Sequence, residues 1–255
     1  MKYTTHSAAK CTENSSKKTL VLSTAAVVGA AAAAGVVAYK LYRRSHPKAP
    51  KVDTAKRRIA CIGDSITYGS GVEKTRKTDA YPAILQTLAG PEWQVLNYGV
   101  SGRTLRKGGD TPYAKTGYLE AALAAKPEIV VVLLGTNDSK PYNWDAPSYE
   151  QEYEDLLRHV QETLPEAEIY VLTPPAAFGQ GLDGMAIYHI QPEVVRDEIR
   201  PILFRLCGKL GLPLIDLYPL TKDHPEYFAD GVHPNREGNE VLAETVWAAI
   251  DPAEV

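Results

Sequence analysis

Residues Glu128–Gly135 read EIVVVLLG. An amphipathic helix would break this run with polar residues at every turn, and a half-exposed strand would alternate. A run that is apolar at each position fits a strand covered on both faces, as at the centre of a parallel sheet. Working outward, further short runs read as strands at Ile59–Ile62, Gln94–Asn97, Ile169–Leu172 and Pro213–Ile215. Between and after them lie helical patterns at Tyr81–Ala89, Tyr118–Ala125, Tyr149–Leu164, Pro192–Leu210 and Glu237–Ile250. Such alternation with right-handed crossovers predicts one doubly wound α/β domain over residues 59–250. It is a three-layer α/β/α sandwich on a five-stranded parallel sheet.

The chain has 255 residues and a formal charge of -3. That small number hides an asymmetry. Residues 1–58 carry 12 basic and 2 acidic side chains, which leaves 16 basic and 29 acidic beyond them. An acidic domain argues against nucleic acid as a partner, since phosphates require a basic face. Cys61 and Cys207 fall in apolar patterns and read as small buried hydrophobes, with Cys11 in the polar front. Three cysteines without metal-ligand spacing give neither a disulfide framework nor a zinc site. HExxH, Walker A and strand-linked GxGxxG patterns are absent from the sequence. No metal and no organic cofactor is expected.

The amino-terminal part reads as three pieces. Residues 1–19 are a disordered polar tail. Residues 20–41 contain the uncharged stretch LVLSTAAVVGAAAAAGVVAY, 20 residues long. As a helix it spans about 30 Å, one hydrocarbon thickness, and reads as an uncleaved transmembrane anchor in a lipid bilayer. The rival is a cleaved signal peptide with Ala32-Ala33-Ala34 as its processing site, although the polar front is long for one. Residues 42–58 are a basic linker with two prolines. Lys40, Arg43, Arg44, Lys48 and Lys51 follow the span and outnumber Lys10, Lys17 and Lys18 before it, which favours a cytoplasmic domain.

Ligands of doubly wound sheets bind beyond the carboxyl ends of the strands. Those loops read GDSIT at 63–67, YGVSG at 98–102, GTND at 135–138 and DGVHP at 230–234. They bring a serine, a glycine, an asparagine and an aspartate–histidine pair to one edge. Acyl transfer needs a nucleophile, a base and oxyanion donors. Ser65 supplies a hydroxyl that is weakly nucleophilic until an imidazole takes its proton, and His233 is such a base. Asp230, three residues earlier, can fix the imidazole's tautomer. The backbone N–H groups of Ser65 and Gly102 and the amide of Asn137 are candidate oxyanion donors. Each residue singly also fits a cap, a turn or a surface position; together they favour chemistry.

GDSIT, NYGVSG, LLGTND and DGVHP resemble, in order and spacing, the four blocks of the SGNH (GDSL-type) hydrolase superfamily. The resemblance covers roughly Ile59 to Ile250. It implies a flavodoxin-like α/β/α fold, Ser65 as nucleophile, Asp230 and His233 as its triad partners, and Gly102 and Asn137 in the oxyanion hole. The longer runs NYGVSGRTLRKGGDTPYAKT and LLGTNDSKPYNW look like the sialate O-acetylesterase-like branch, which acts on acetylated sugars and usually on exported glycans. That habit opposes the orientation the flanking charges favour. The G-x-S-x-G elbow of α/β-hydrolases is missing.

The expected activity is therefore a serine esterase releasing acetyl groups from carbohydrate. Tyr142 and Trp144 are candidates to stack on a sugar, and Arg103 to meet its carboxylate. Packing aromatics and a solvated basic loop are the competing readings. The segment from Pro174 to Pro192 is long and contains three glycines, so it is expected to border the pocket. Two other functions stay open. One is a lysophospholipase or thioesterase acting on lipid acyl esters. The other is a non-catalytic, membrane-tethered glycan-binding protein, against which the intact Ser65–His233–Asp230 set speaks.

Overall fold

The computed structural model of the chain describes residues 48–181 and 188–251, which belong to one unit, His46–Val255. The polar tail and the expected membrane span at residues 20–41 lie outside the described residues. Among the described residues, no helix is long and apolar enough to cross a membrane.

Five parallel strands form the sheet: β1 (Arg57–Gly63), β2 (Trp93–Gly99), β3 (Ile129–Leu133), β4 (Glu168–Leu172) and β5 (Leu214–Ile215). Their spatial order is β2-β1-β3-β4-β5. The chain first moves from β1 outward to β2, then crosses back over β1 to β3. The switch point lies between β1 and β3, where a doubly wound sheet opens its binding crevice.

Alternation along each strand builds two cores, as the pleat requires. Ala60, Ile62, Val130 and Val132 point to one face, where they join Leu119 and Leu123 of α3 (Tyr118–Ala124) and Tyr149, Tyr153 and Leu157 of α4 (Ala146–Thr163). Ile202, Leu203 and Leu206 of α5 (Arg200–Leu210) complete that layer. Ile59, Cys61, Val131 and Leu133 point to the other face. There they meet Tyr81 and Leu85 of α2 (Tyr81–Ala89) and Leu242, Ala243 and Val246 of α6 (Arg236–Ile250). Every residue of β3 is buried, as its unbroken apolar run requires. The expected three-layer sandwich is the observed fold.

Local differences have local causes. Helix α4 begins at Ala146, a turn before the apolar pattern starts at Tyr149. Asp145 caps it by accepting from Ser148 N at 3.0 Å, and Pro147 occupies the first turn, where a missing N–H does no harm. The expected helix from Pro192 to Leu210 contains a π-helical turn at Val195–Ile199. It sits just before Pro201, which has no N–H to continue the regular ladder. Lys51–Arg58, assigned above to the linker, is held against the domain. Gln94 bonds Asp53 N at 2.7 Å and Lys51 O at 2.9 Å, and the Arg58 guanidinium donates to Ala125 O at 2.8 Å.

Register sets the site's position. Gly63 pairs with Gly99 on one side and with Leu133 on the other, so β2, β1 and β3 end in one row. Just beyond, the short helix α1 (Ser65–Tyr68) crosses directly over the end of β2. A Cβ on Gly99 would lie 2.2 Å from Tyr68 N and 2.5 Å from Thr67 C, both backbone atoms that cannot swing aside. Gly99→Ala should therefore lower unfolding stability by about 3 kcal/mol through forced separation of α1 from β2. Urea denaturation should show a lower midpoint with an unchanged slope. A wild-type midpoint would contradict this close approach.

Candidate active site

Ser65 opens α1 immediately after β1. Asp64 caps that helix, its Oδ1 accepting from Ile66 N at 2.9 Å. The Ser65 hydroxyl is nearly buried and lies 2.8 Å from His233 Nε2. His233 Nδ1 lies 2.7 Å from Asp230 Oδ2. The other Asp230 oxygen accepts from the backbone N–H of His233 at 2.7 Å and of Val232 at 3.0 Å. One carboxylate thus closes its own turn and orients the imidazole, with Nε2 directed at the serine.

The loop carrying His233 is fixed from below. Asn239 of α6 donates to Pro234 O at 2.8 Å and accepts from Tyr81 N at 2.8 Å, which ties the loop to the start of α2. On the opposite side Gly71, at φ +94°, comes against His233. A Cβ there would lie 2.7 Å from Pro234 O. Only glycine combines that backbone angle with that proximity.

Gly102 follows β2 at φ +79°, and Asn137 opens a 3₁₀ turn after β3. Both lie past the row of strand ends that Ser65 follows. The Asn137 amide donates to Asp64 Oδ2 at 3.3 Å, so its NH₂ faces the residue preceding Ser65.

Three buried residues outside the expected catalytic set hold these loops together. Asp64 links Asn137 to the serine turn. Asp138 accepts from Leu105 N at 2.9 Å and Arg106 N at 2.9 Å, fastening the segment after Gly102 to the segment after β3. Asn143 donates to Asn137 O at 2.9 Å and Asp110 Oδ1 at 3.0 Å, and accepts from Asp110 N at 2.9 Å. Asp64 and Asp138 were visible in GDSIT and GTND, but Asp and Asn beside glycine also signal ordinary turns.

The carboxylates differ in environment. Burial lifts the Asp64 carboxyl to about 6, against the opposing pull of the Ile66 N–H and the His233 charge. Burial likewise lifts Asp138 to about 7, although Arg106 N and Leu105 N favour its charged form. Asp230 is partly buried, which alone would raise it, but the hydrogen bond and charge of His233 and the two backbone N–H groups bring it down to about 2. Asp230 is thus the carboxylate held ionised beside the imidazole.

The remaining candidates separate. Tyr142 is 61% exposed and its ring meets that of His189. Trp144 is half-buried. Its ring packs on Tyr149 at 5.3 Å, and its Nε1 donates to Glu198 at 2.9 Å, because α4 carries Tyr149 into the core beside it. Arg103 is half-buried, and burial lowers its guanidinium pKa against the charge of Asp110. Two described parts of the segment from Pro174 to Pro192 reach the Asp230–His233 loop. Phe178 N donates to Gly231 O at 2.9 Å, and the Tyr188 ring lies 5.1 Å from that of His233.

The model of the GDSL-like lipase/acylhydrolase family matches residues 61–241, from β1 into α6. The chain belongs to this family. An acetylxylan esterase of Xylanibacter ruminicola is 38% identical to this GDSL-family chain over 221 residues, 79% of this chain and 44% of that protein. The cellulase/esterase CelE of Acetivibrio thermocellus is 27% identical over 218 residues, 76% of this chain and 25% of that protein. The chain thus spans less than half the length of either curated relative. Among solved structures, Est24, a carbohydrate acetylesterase from Sinorhizobium meliloti, shares the fold with a TM-score of 0.62 at 22% identity, over 77% of this chain and 100% of that one.

The raised carboxyl of Asp138 has a consequence for stability. A folded pKa near 7 lies above the unfolded value of 3.8, so unfolding releases a proton between them. Stability from this group is fully present below the unfolded value and is lost as pH rises through the folded one. Asp138→Asn cannot titrate. The stability advantage of wild type over Asp138→Asn should narrow steadily from pH 4 to 7 in urea unfolding, and a constant difference would contradict burial of this carboxyl.

Proposed function

We propose that this protein is a serine esterase that hydrolyses acetyl esters, with acetylated carbohydrate as its substrate class. The observation that carries the reading is the linear hydrogen-bonded set Ser65 Oγ–His233 Nε2 and His233 Nδ1–Asp230 Oδ2, at 2.8 and 2.7 Å. A serine placed only to cap a helix has no need of an imidazole that is itself oriented by a carboxylate.

The reaction follows from these atoms. Ser65 Oγ attacks the acetyl carbonyl while His233 Nε2 takes its proton. Negative charge develops on the carbonyl oxygen, where the N–H groups of Ser65 and Gly102 and the side-chain amide of Asn137 are the donors we assign. His233 returns the proton to the departing sugar oxygen, leaving an acetyl ester on Ser65. Water then attacks that ester with His233 again as base, the C–Oγ bond breaks as His233 returns the proton to Ser65 Oγ, and acetate leaves. Asp230 stays ionised throughout and stabilises the imidazolium.

The choice of an acetyl group on sugar rests on two supports of different kind. The 38% identical relative is an acetylxylan esterase. The loop sequences around Gly102 and Asn137 resemble a branch that deacetylates other sugars. Their shared chemistry is removal of acetate from a sugar hydroxyl, and this is the extent of the proposal. The lipid-ester reading finds no comparable support.

Full-length protein should release nitrophenol from nitrophenyl acetate faster than from the octanoate, and acetate from acetylated xylan. Ser65→Ala and His233→Ala should each reduce the acetate rate by about 10⁴-fold or more, and Asn137→Ala by about 10²–10³. Preference for octanoate would move the substrate to lipid esters. A Ser65→Ala protein as active as wild type would overturn the mechanism.

A further inference from the structure

We infer that Tyr188–Gln191 is a strap across the active site, and that its Tyr188, with Tyr142, forms the aromatic wall of a sugar subsite. The inference deepens the proposed function and rests on it.

Four consecutive residues make four different attachments. The Tyr188 ring stands nearly perpendicular to the His233 imidazole, at 5.1 Å and 79°. The His189 ring stands similarly on Tyr142, at 6.4 Å and 68°. Ile190 is buried in the core beneath. Gln191 is tied to Ser139, two residues after Asn137: its N donates to Ser139 Oγ at 3.2 Å, and its Nε2 to Ser139 O at 2.6 Å. The strap thus runs from the loop of the base to the loop of the oxyanion donor.

Its backbone is strained at the point where it meets the triad. Tyr188 and His189 have φ of +67° and +56°. Two successive non-glycine residues in the left-handed region persist only where the surroundings fix them. The Gln191 and Ile190 anchors supply that fixation. The strained turn has an effect that burial does not explain. It keeps Tyr188 45% exposed while holding its ring against the catalytic histidine. Tyr142, whose ring meets that of His189, is 61% exposed. Of the five large hydrophobic side chains exposed among the described residues, Tyr188 belongs to the strap and Tyr142 packs on it. An exposed aromatic face beside His233, continued through His189 to a second exposed ring, suits the apolar C–H face of a sugar.

The wall is therefore assigned to the sugar side of the ester. The test compares kcat and KM for acetylated xylo-oligosaccharide and for nitrophenyl acetate, in full-length wild type, Tyr142→Ala, Tyr188→Ala and Tyr188→Phe. The inference predicts that each alanine variant loses about tenfold more kcat/KM on the oligosaccharide than on the small ester, chiefly through KM. Tyr188→Phe keeps the stacking face and should retain most of the oligosaccharide activity. Equal losses on both substrates would overturn the inference and make Tyr188 a support for His233. Wild-type behaviour of both alanine variants on the oligosaccharide would also overturn it, while serine-dependent hydrolysis would leave the esterase reading intact. A wild type that cleaves nitrophenyl acetate but no acetylated sugar would overturn the substrate class and the wall with it.

Discussion

The parallel pairing of β1 between β2 and β3 is the constraint on which the site depends. It aligns Gly63 with Gly99 and Leu133, so three loops leave the sheet side by side. The missing side chain at Gly99 lets α1 descend onto β2, and this places Ser65 low in the crevice. From that position its hydroxyl is within reach of a histidine 168 residues later. A one-residue slip of β1 would turn Ile59 and Cys61 toward the wrong core and move the serine by more than 3 Å. The hydrophobic alternation that builds two cores is therefore also what sets the catalytic distance.

Around that frame, three carboxyl groups in one small volume do different work because their surroundings differ. Asp230 faces a partner that becomes cationic and two N–H groups, and it remains charged. Asp64 and Asp138 are enclosed, and burial raises both. Their structural value lies in the N–H groups they gather from three separate loops: Ile66, Asn137, Leu105 and Arg106. Without such cross-links, loops that follow different strands would have no reason to keep Ser65, Gly102 and Asn137 at fixed separation.

Much of this was legible in the amino-acid order. The all-apolar β3 run announces a central parallel strand, and the switch-point rule then predicts which loops converge. Ser65, Asp230 and His233 sit in short blocks whose spacing survives as geometry. What was not legible depends on partners distant in sequence. The sequence leaves Trp144 open between stacking on a sugar and packing, and only the structure shows its ring on Tyr149 and its N–H on Glu198. Asn143 has no local signature at all, because its importance lies in bonds to Asp110 and Asn137. Tyr188 follows no pattern that would place it on His233. Its position is set by the Gln191–Ser139 anchor and by a backbone angle that sequence does not announce for tyrosine.

The most direct measurement of the central claim is covalent. The full-length protein would be treated with a fluorophosphonate, which reacts with serine only when an adjacent base has activated it, and then digested and analysed by mass spectrometry. The account predicts one adduct per chain, on Ser65, with labelling abolished in His233→Ala while that variant remains folded. An unmodified Ser65, an adduct on another residue, or undiminished labelling without His233 would contradict it.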